Sequence, residues 1–227
     1  MFTFRRPTDD DVRELLARQA GQPWSYPFVG QTRETSPTIP GWQVDRHRVQ
    51  LGHGEATFAA ACEAIRAWKM FPPEMTRVYG NELPPQPGQV VAVLYRARPI
   101  PLWMLFPARV VYVVDECLGS GVREHPDRAD IARQMRFGFA YGTVPNHPER
   151  GEERFLVEWD ARDDSVWYDL VAVSRPGHWL ARVGYLYARY EQARFRRLSG
   201  LAMQRAVHER LRGDAQEHAR CGGTPIG

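Results

Sequence analysis

The order of elements in this 227-residue chain predicts an α+β fold in which a curved antiparallel sheet grips a long C-terminal helix. Three observations carry that prediction. Stretches patterned as strands outnumber the helices that could connect them in parallel. The last three strands are joined by links of hairpin length. One stretch of helical period near the C-terminus is far longer than any other.

The elements follow in chain order. Thr8 opens the first helix, with Asp11 three residues on as in a capping box and with Asp9 and Asp10 against the positive helix end. That helix reaches Arg18 or Gln19, and Gly21 stops it. Residues 21–41 are rich in Gly, Pro, Ser and Thr, yet Trp24, Tyr26, Phe28 and Val29 are too apolar for a free linker. Residues 42–51 read as a strand with Val49 and Leu51 on one face, and His53-Gly54 as a turn. Residues 55–70 read as a helix that Pro72-Pro73 ends. Strands follow near 89–97 and 108–115, then a polar loop over 117–133.

Three more strands lie near 135–143, 152–159 and 165–174. Pro176 fits the first turn of a helix with Ser174 as cap. The long helix then covers about 177–211, with Trp179, Leu180, Val183, Leu186, Tyr187, Tyr190, Leu198 and Leu201 on one face. Residues 213–227 read as a tail that frays, which leaves 1–212 as a single domain. A helix with so broad an apolar face must lie on the concave side of the sheet, the helix-grip arrangement. Residues 90–94 and 110–114 are apolar on both faces and need cover on both. The segment 1–41, or a second copy of the chain in a homodimer, would cover the back.

Composition excludes more than it assigns. Hydrophobic residues make up 43% and charged residues 25%, and the formal net charge is +3, too small to call for a nucleic-acid partner. Lys69 is the only lysine beside 29 arginines. Cys62, Cys117 and Cys221 form no C-x-x-C pair, and the N-terminal stretch has no apolar leader, so a reducing, cytoplasmic setting is expected. No phosphate-binding glycine loop or nucleophile elbow occurs, so no cofactor is expected. His47, His53 and Glu55 have no metal-ligand spacing and read as turn or capping residues.

Three segments carry a resemblance: Tyr26-Pro27-Phe28-Val29-Gly30-Gln31-Thr32-Arg33; Leu51-Gly52-His53-Gly54-Glu55 with Trp68-Lys69-Met70-Phe71; and Gly138-Phe139-Ala140-Tyr141-Gly142-Thr143-Val144-Pro145-Asn146-His147-Pro148-Glu149 with Gly151-Glu152-Glu153-Arg154-Phe155. With these the chain resembles uncharacterised protein family 0548, a bacterial and plant family, over about residues 10–208. Val144 and Asn146 depart mildly from its pattern. The resemblance implies no reaction. By element order the chain is also similar to START-like and plant-allergen-like helix-grip proteins, which is analogy.

The candidate ligand-binding residues are Tyr141, His147, Glu153, Trp167, Asp169 and Tyr187. Gly138, Ala140 and Gly142 share one strand face and leave room for a backbone, a side chain or a ligand. Tyr141 and His147 could edge a site, though a structural turn, with His147 satisfying a nearby carbonyl, is the favoured reading. Glu153 shares its face with Phe155, Val157 and Trp159, so it should point into the core, paired or protonated. Glu152, Arg154 and Glu158 then form the polar side. Asp169 could join Glu153 or lie opposite, because its strand is apolar on both faces. The arginines of the long helix read as a solvated face with a few partners on the sheet.

Three functions stay open. One is a module binding a small apolar or aromatic molecule between sheet and helix. A second is an enzyme using Glu153, Tyr141 and His147 as acid and base in the same cavity. The third is a protein docking a partner on the arginine-rich helix.

Overall fold

The computed structural model describes residues 2–34, 37–97, 102–116, 134–145, 147–177 and 185–221. The elements are β1 (Phe2–Thr3), α1 (Asp9–Gln19), β2 (Gln43–His53), α2 (Glu55–Arg66), β3 (Thr76–Tyr79), β4 (Val90–Arg96), β5 (Trp103–Asp115), β6 (Gln134–Thr143), β7 (Glu149–Asp160), β8 (Ser165–Pro176) and α3 (Tyr185–Cys221). One antiparallel sheet runs β2-β8-β7-β6-β5-β4-β3, and β1 pairs with β5 beside it. Thr8 caps α1 through the capping box with Asp11 that the sequence predicts.

Register decides which side chains share a face. Opposite Tyr141 stands Glu153, opposite Phe139 stands Phe155, and opposite Phe137 stands Val157. On the next strand Val157 faces Tyr168, and Phe155 faces Leu170. These residues line the inner face. Phe58, Ala61, Cys62 and Ile65 of α2 and Met203 and Val207 of α3 close over it as the main core. Each large apolar side chain so buried contributes roughly 1.5–3 kcal/mol.

The back face is covered as the apolar runs require. Val12 of α1 packs on Ala92, Leu94 and Leu105. Tyr26 and Phe28 pack on Val173. Gly142 is small because the Tyr26 ring lies across it: a Cβ there would stand 2.0 Å from the Tyr26 hydroxyl. The room left by the small residues of β6 is thus filled by the chain itself.

The side of β7 expected to be solvated is buried under this strap. Glu152 and Arg154 are each 2% exposed. Glu152 accepts from the Tyr26 hydroxyl at 2.7 Å, from the N–H groups of Gly30 at 2.8 Å and Thr32 at 3.1 Å, and from the Thr32 hydroxyl. Arg154 donates to the carbonyls of Thr32 and Glu34 and, at 2.7 Å, to Asp169. Asp169 is fully buried and accepts a second guanidinium from Arg46. Turn-rich residues 24–34 therefore dock because the sheet offers buried charges that their backbone and the Tyr26 and Thr32 hydroxyls satisfy. Val29 alone of the four apolar strap residues is exposed, at 41%.

Other expectations need correction. α2 stops at Arg66, because Trp68 takes φ 56° at a position that usually suits glycine, and Lys69 N–H closes the helix end on the Ala64 carbonyl. Trp68 is held there by Phe139, 4.7 Å between ring centroids, and by donating its indole N–H to the Leu83 carbonyl. β3 was not anticipated. β5 starts at Trp103 and carries Pro107 within it, opposite Ala92. Pro176 opens no helix; it ends β8, paired with Glu149. The loop over 117–133 and Trp179, Leu180 and Val183 lie outside the described residues.

The long helix runs to Cys221, past Gly213, and a different stripe of it faces inward. Leu186, Tyr190 and Leu201 are exposed at 83%, 64% and 42%. Phe195, Ser199, Met203 and Val207, spaced by four, meet the core instead. The largest side chains were a poor guide because the contact is close. A Cβ on Gly200 would stand 2.9 Å from the His47 ring, so small residues mark the approach.

Two expectations follow for stability. Met203→Ala should cost about 2–5 kcal/mol in urea unfolding, while Leu186→Ala stays within about 0.5 kcal/mol. Asp169→Ala should cost about 3–5 kcal/mol by leaving Arg154 buried without its counter-charge, and limited proteolysis should then cut within residues 24–34.

Candidate functional site

The inner face is apolar along its centre and ionisable at one end. Tyr141 and Glu153, cross-strand neighbours on β6 and β7, form a hydrogen bond of 2.6 Å from hydroxyl to carboxylate. Phe71 and Phe155 flank the Tyr141 ring at 6.2 and 5.4 Å, and Phe195 of α3 lies 5.9 Å from Phe71. Glu153 sits deep in the molecule, among rings, yet keeps part of its surface accessible. Burial pushes its carboxyl up to about 7; the Tyr141 hydrogen bond works against that rise. The Tyr141 hydroxyl is itself held well above the ordinary phenol range by burial and by Glu153.

The start of α3 closes over this end through polar contacts. Arg189 holds Asp45 of β2 with two hydrogen bonds of 2.5 and 2.8 Å, and Arg196 approaches the same carboxylate at 3.4 Å. Burial opposes ionisation of Asp45, but the two guanidiniums outweigh it and hold its pKa down. Gln192 donates to Glu149 at the start of β7. Burial raises the Glu149 pKa in spite of that bond. His47, also on the inner face, is kept neutral toward lower pH by burial and by Arg196. Between α3 and the ends of β2, β7 and β8 lies a cleft of about 200 Å³, lined by Gln43, Glu149, Ser174, Arg189 and Gln192 among others.

Of the six candidate residues, the structure brings Tyr141 and Glu153 together. Asp169 and Trp167 are not with them: both lie on the back face. Asp169 is consumed by Arg154 and Arg46, and Trp167 lies under the Arg48 guanidinium at 4.9 Å. Alternation places residues 167 and 169 opposite Tyr168 and Leu170, and only the register with β7 reveals which pair faces inward. His147 is a turn residue. Its Nδ1 accepts the Glu149 N–H at 3.0 Å, its ring packs 5.1 Å from Phe106, and burial lowers its pKa to about 4. Tyr187 shares a hydroxyl contact of 3.1 Å with Tyr95, over β4.

Asp45, Glu149, Arg189, Gln192 and Arg196 went unread as site residues. Their signal was present but split. Asp45 lies on a strand read for Val49 and Leu51, and Glu149 inside a segment read as a turn. The expectation that a few helix arginines pair with sheet carboxylates does hold, in Arg189 and Arg196 with Asp45. Among the described residues no group of three or more His, Cys, Asp and Glu side chains could hold a metal, and no helix is long and apolar enough to cross a membrane.

Comparison with known proteins gives the following. Residues 25–202 match the family described as a domain of unknown function, DUF1990. A UPF0548 protein of Dictyostelium discoideum is 30% identical over 209 residues, covering 86% of this chain and 90% of its own length. A UPF0548 protein of Deinococcus radiodurans is 38% identical over 184 residues, covering 77% and 83%. The amoebal relative takes the family beyond bacteria and plants. Among solved structures, a START superfamily protein from Mycobacterium smegmatis superposes with a TM-score of 0.41 at 12% identity, over 74% of this chain and 99% of that one. That likeness bears on nothing in the site.

Glu153 and His147 should pull stability in opposite directions with pH. Glu153 has a folded pKa above its unfolded value. Its contribution is full below about pH 4.5 and is lost as pH rises to about 7, a fall of about 3 kcal/mol. His147 has a folded pKa below its unfolded value, so its contribution is lost as pH falls from about 6.5 to about 4. The two offset each other in the intact chain. Urea unfolding of variants across this range, compared with the intact chain, separates them. Glu153→Gln should make stability rise with pH, and His147→Gln should make it fall.

Proposed function

The chain belongs to the DUF1990 domain family, and from its geometry we propose that it binds a small molecule with an apolar or aromatic body at the open end of the sheet, under the start of α3. The observation that carries this reading is the Glu153 carboxyl. It is deep, touched by solvent, and given one neutral donor, Tyr141, in a molecule that supplies guanidiniums to its buried Asp169 on the back face and to Asp45 on the inner face. A structural ion pair would have used an arginine; a site for a guest leaves an acceptor open. Rings of Phe71, Tyr141 and Phe155 supply the apolar wall, and the cleft beside Glu149 and Gln192 supplies the way in.

A second reading rests on the same carboxyl. A pKa of about 7 suits a general acid or base at neutral pH, and Tyr141 stands at hydrogen-bond distance to relay or orient a proton. Binding comes first, because among the described residues Glu153 bonds Tyr141 alone, and burial holds that hydroxyl well above the ordinary phenol range.

Native mass spectrometry of the protein purified from its own host tests the proposal. A co-purified mass that is lost from Glu153→Gln and from Tyr141→Phe supports a bound small molecule. Protein that carries no adduct, and whose melting temperature no extract of host metabolites raises, sinks it. If Glu153→Gln keeps affinity for the captured molecule and loses its conversion, the acid–base reading takes precedence.

A further inference from the structure

We infer that the ligand of this cleft carries a protonated nitrogen beside its apolar body, received between Glu149 and Glu153. The inference rests on the binding role just proposed and specifies the class of molecule. Three carboxylates point into this end of the inner face: Asp45 from β2, and Glu149 and Glu153 from β7. Arg189 and Arg196 approach them, and both pair directly with Asp45, acting on Glu149 and Glu153 at longer range without a hydrogen bond. Glu149 and Glu153 are left with neutral donors, the Gln192 amide and the Tyr141 hydroxyl. The other titratable groups on this side do not restore the balance. His47 is held neutral beside Arg196, Tyr168 bonds Ser199, and Arg175 at the cleft rim is turned onto the Trp42 ring, 4.3 Å away.

The contrast with the back of the sheet gives this imbalance its meaning. Glu152 there also lacks a guanidinium hydrogen bond, but four donors saturate it. Glu149 and Glu153 have spare acceptor capacity, and both keep some accessible surface. They stand two same-face positions apart on one strand, the first lining the cleft and the second deeper, among rings. An incoming ammonium group would supply the missing charge and hydrogen-bond donors at once. The faces of Tyr141, Phe71 and Phe155 would favour a cation further. An anionic ligand would meet two carboxylates, with the guanidiniums of the cleft engaged elsewhere, Arg189 on Asp45 and Arg175 on the Trp42 ring.

The test uses three probes of one shape and different charge: phenethylamine, phenethyl alcohol and hydrocinnamate. Each is titrated into the full chain at about pH 8, above the Glu153 pKa of about 7, with amide-resolved NMR. The amine should bind roughly tenfold or more tighter than the alcohol, with hydrocinnamate weakest, and should shift the amides of Gln192 and Tyr141. In the double variant Glu149→Gln, Glu153→Gln the amine should fall to the affinity of the alcohol, and the free protein should melt at an equal or higher temperature. Equal binding of amine and alcohol, tighter binding of hydrocinnamate, or an amine preference that survives in the double variant overturns the inference but leaves the cleft standing. So does a double variant less stable than the parent, which would make the two acids structural. Failure of all three probes to shift Gln192 or Tyr141 at millimolar concentration overturns the binding role itself.

Discussion

Glu152 is the constraint on which the arrangement depends. A carboxylate held at 2% exposure on the back of a sheet must find donors or disrupt the fold, and the strands themselves offer none. It finds them in Tyr26, Gly30 and Thr32, so an otherwise irregular stretch is drawn across β6, β7 and β8. Arg154 and Asp169 complete the connection from the other side. With the back closed by this strap and by α1, the inner face is free to be asymmetric. It can be dense with Phe, Val and Leu under α2 and the later part of α3, and polar where α3 begins.

Adjacent acids on one strand thus have opposite roles. Pleating sends Glu152 to the back and Glu153 to the front. The first is saturated and structural. The second keeps one neutral donor and an environment that disfavours its charge. Such an incompletely satisfied group costs stability wherever it sits, and its persistence beside a cleft is what gives the site chemical character.

Much of this was legible in the residues, and the failures have definite causes. The capping box of Thr8 and Asp11, the hairpin links between β6, β7 and β8, and the inward position of Glu153 follow from local rules that tertiary context does not override. Cover by the N-terminal segment was legible, because Val91 and Ala92 or Val93 and Leu94 cannot both be buried without it; α1 supplies it there, and the strap lies over β8. Its charge was not legible. Glu152 and Arg154 look solvated, and Asp169 is undecided between two apolar faces, until the register of β7 on β8 and the path of residues 24–34 are known, and neither is a local property. The helix misled for another reason. Periodicity ranks residues by size, whereas close packing against β2 selected Gly200, Ser199 and Met203 and left Leu186 and Tyr190 outside. Pro176 was a sound helix opener by local preference, but pairing with Glu149 kept it in the sheet.

The neighbour relation of β2 and β8 reaches into the biosynthesis of the protein. β2 leaves the ribosome well before β8, its partner in the sheet among the described residues. Until β8 is made, β2 carries an unsatisfied edge, and α2 behind it presents Phe58, Ile65 and Cys62 with little to pack on. Assembly from the N-terminus onward is therefore closed to this chain; β4 to β7 can form a meander as they emerge, but the edge waits for Val166 to Ser174. A nascent chain stalled before that point would present a long bare strand and an oily helix together, the combination that holdase chaperones recognise and that aggregates form around.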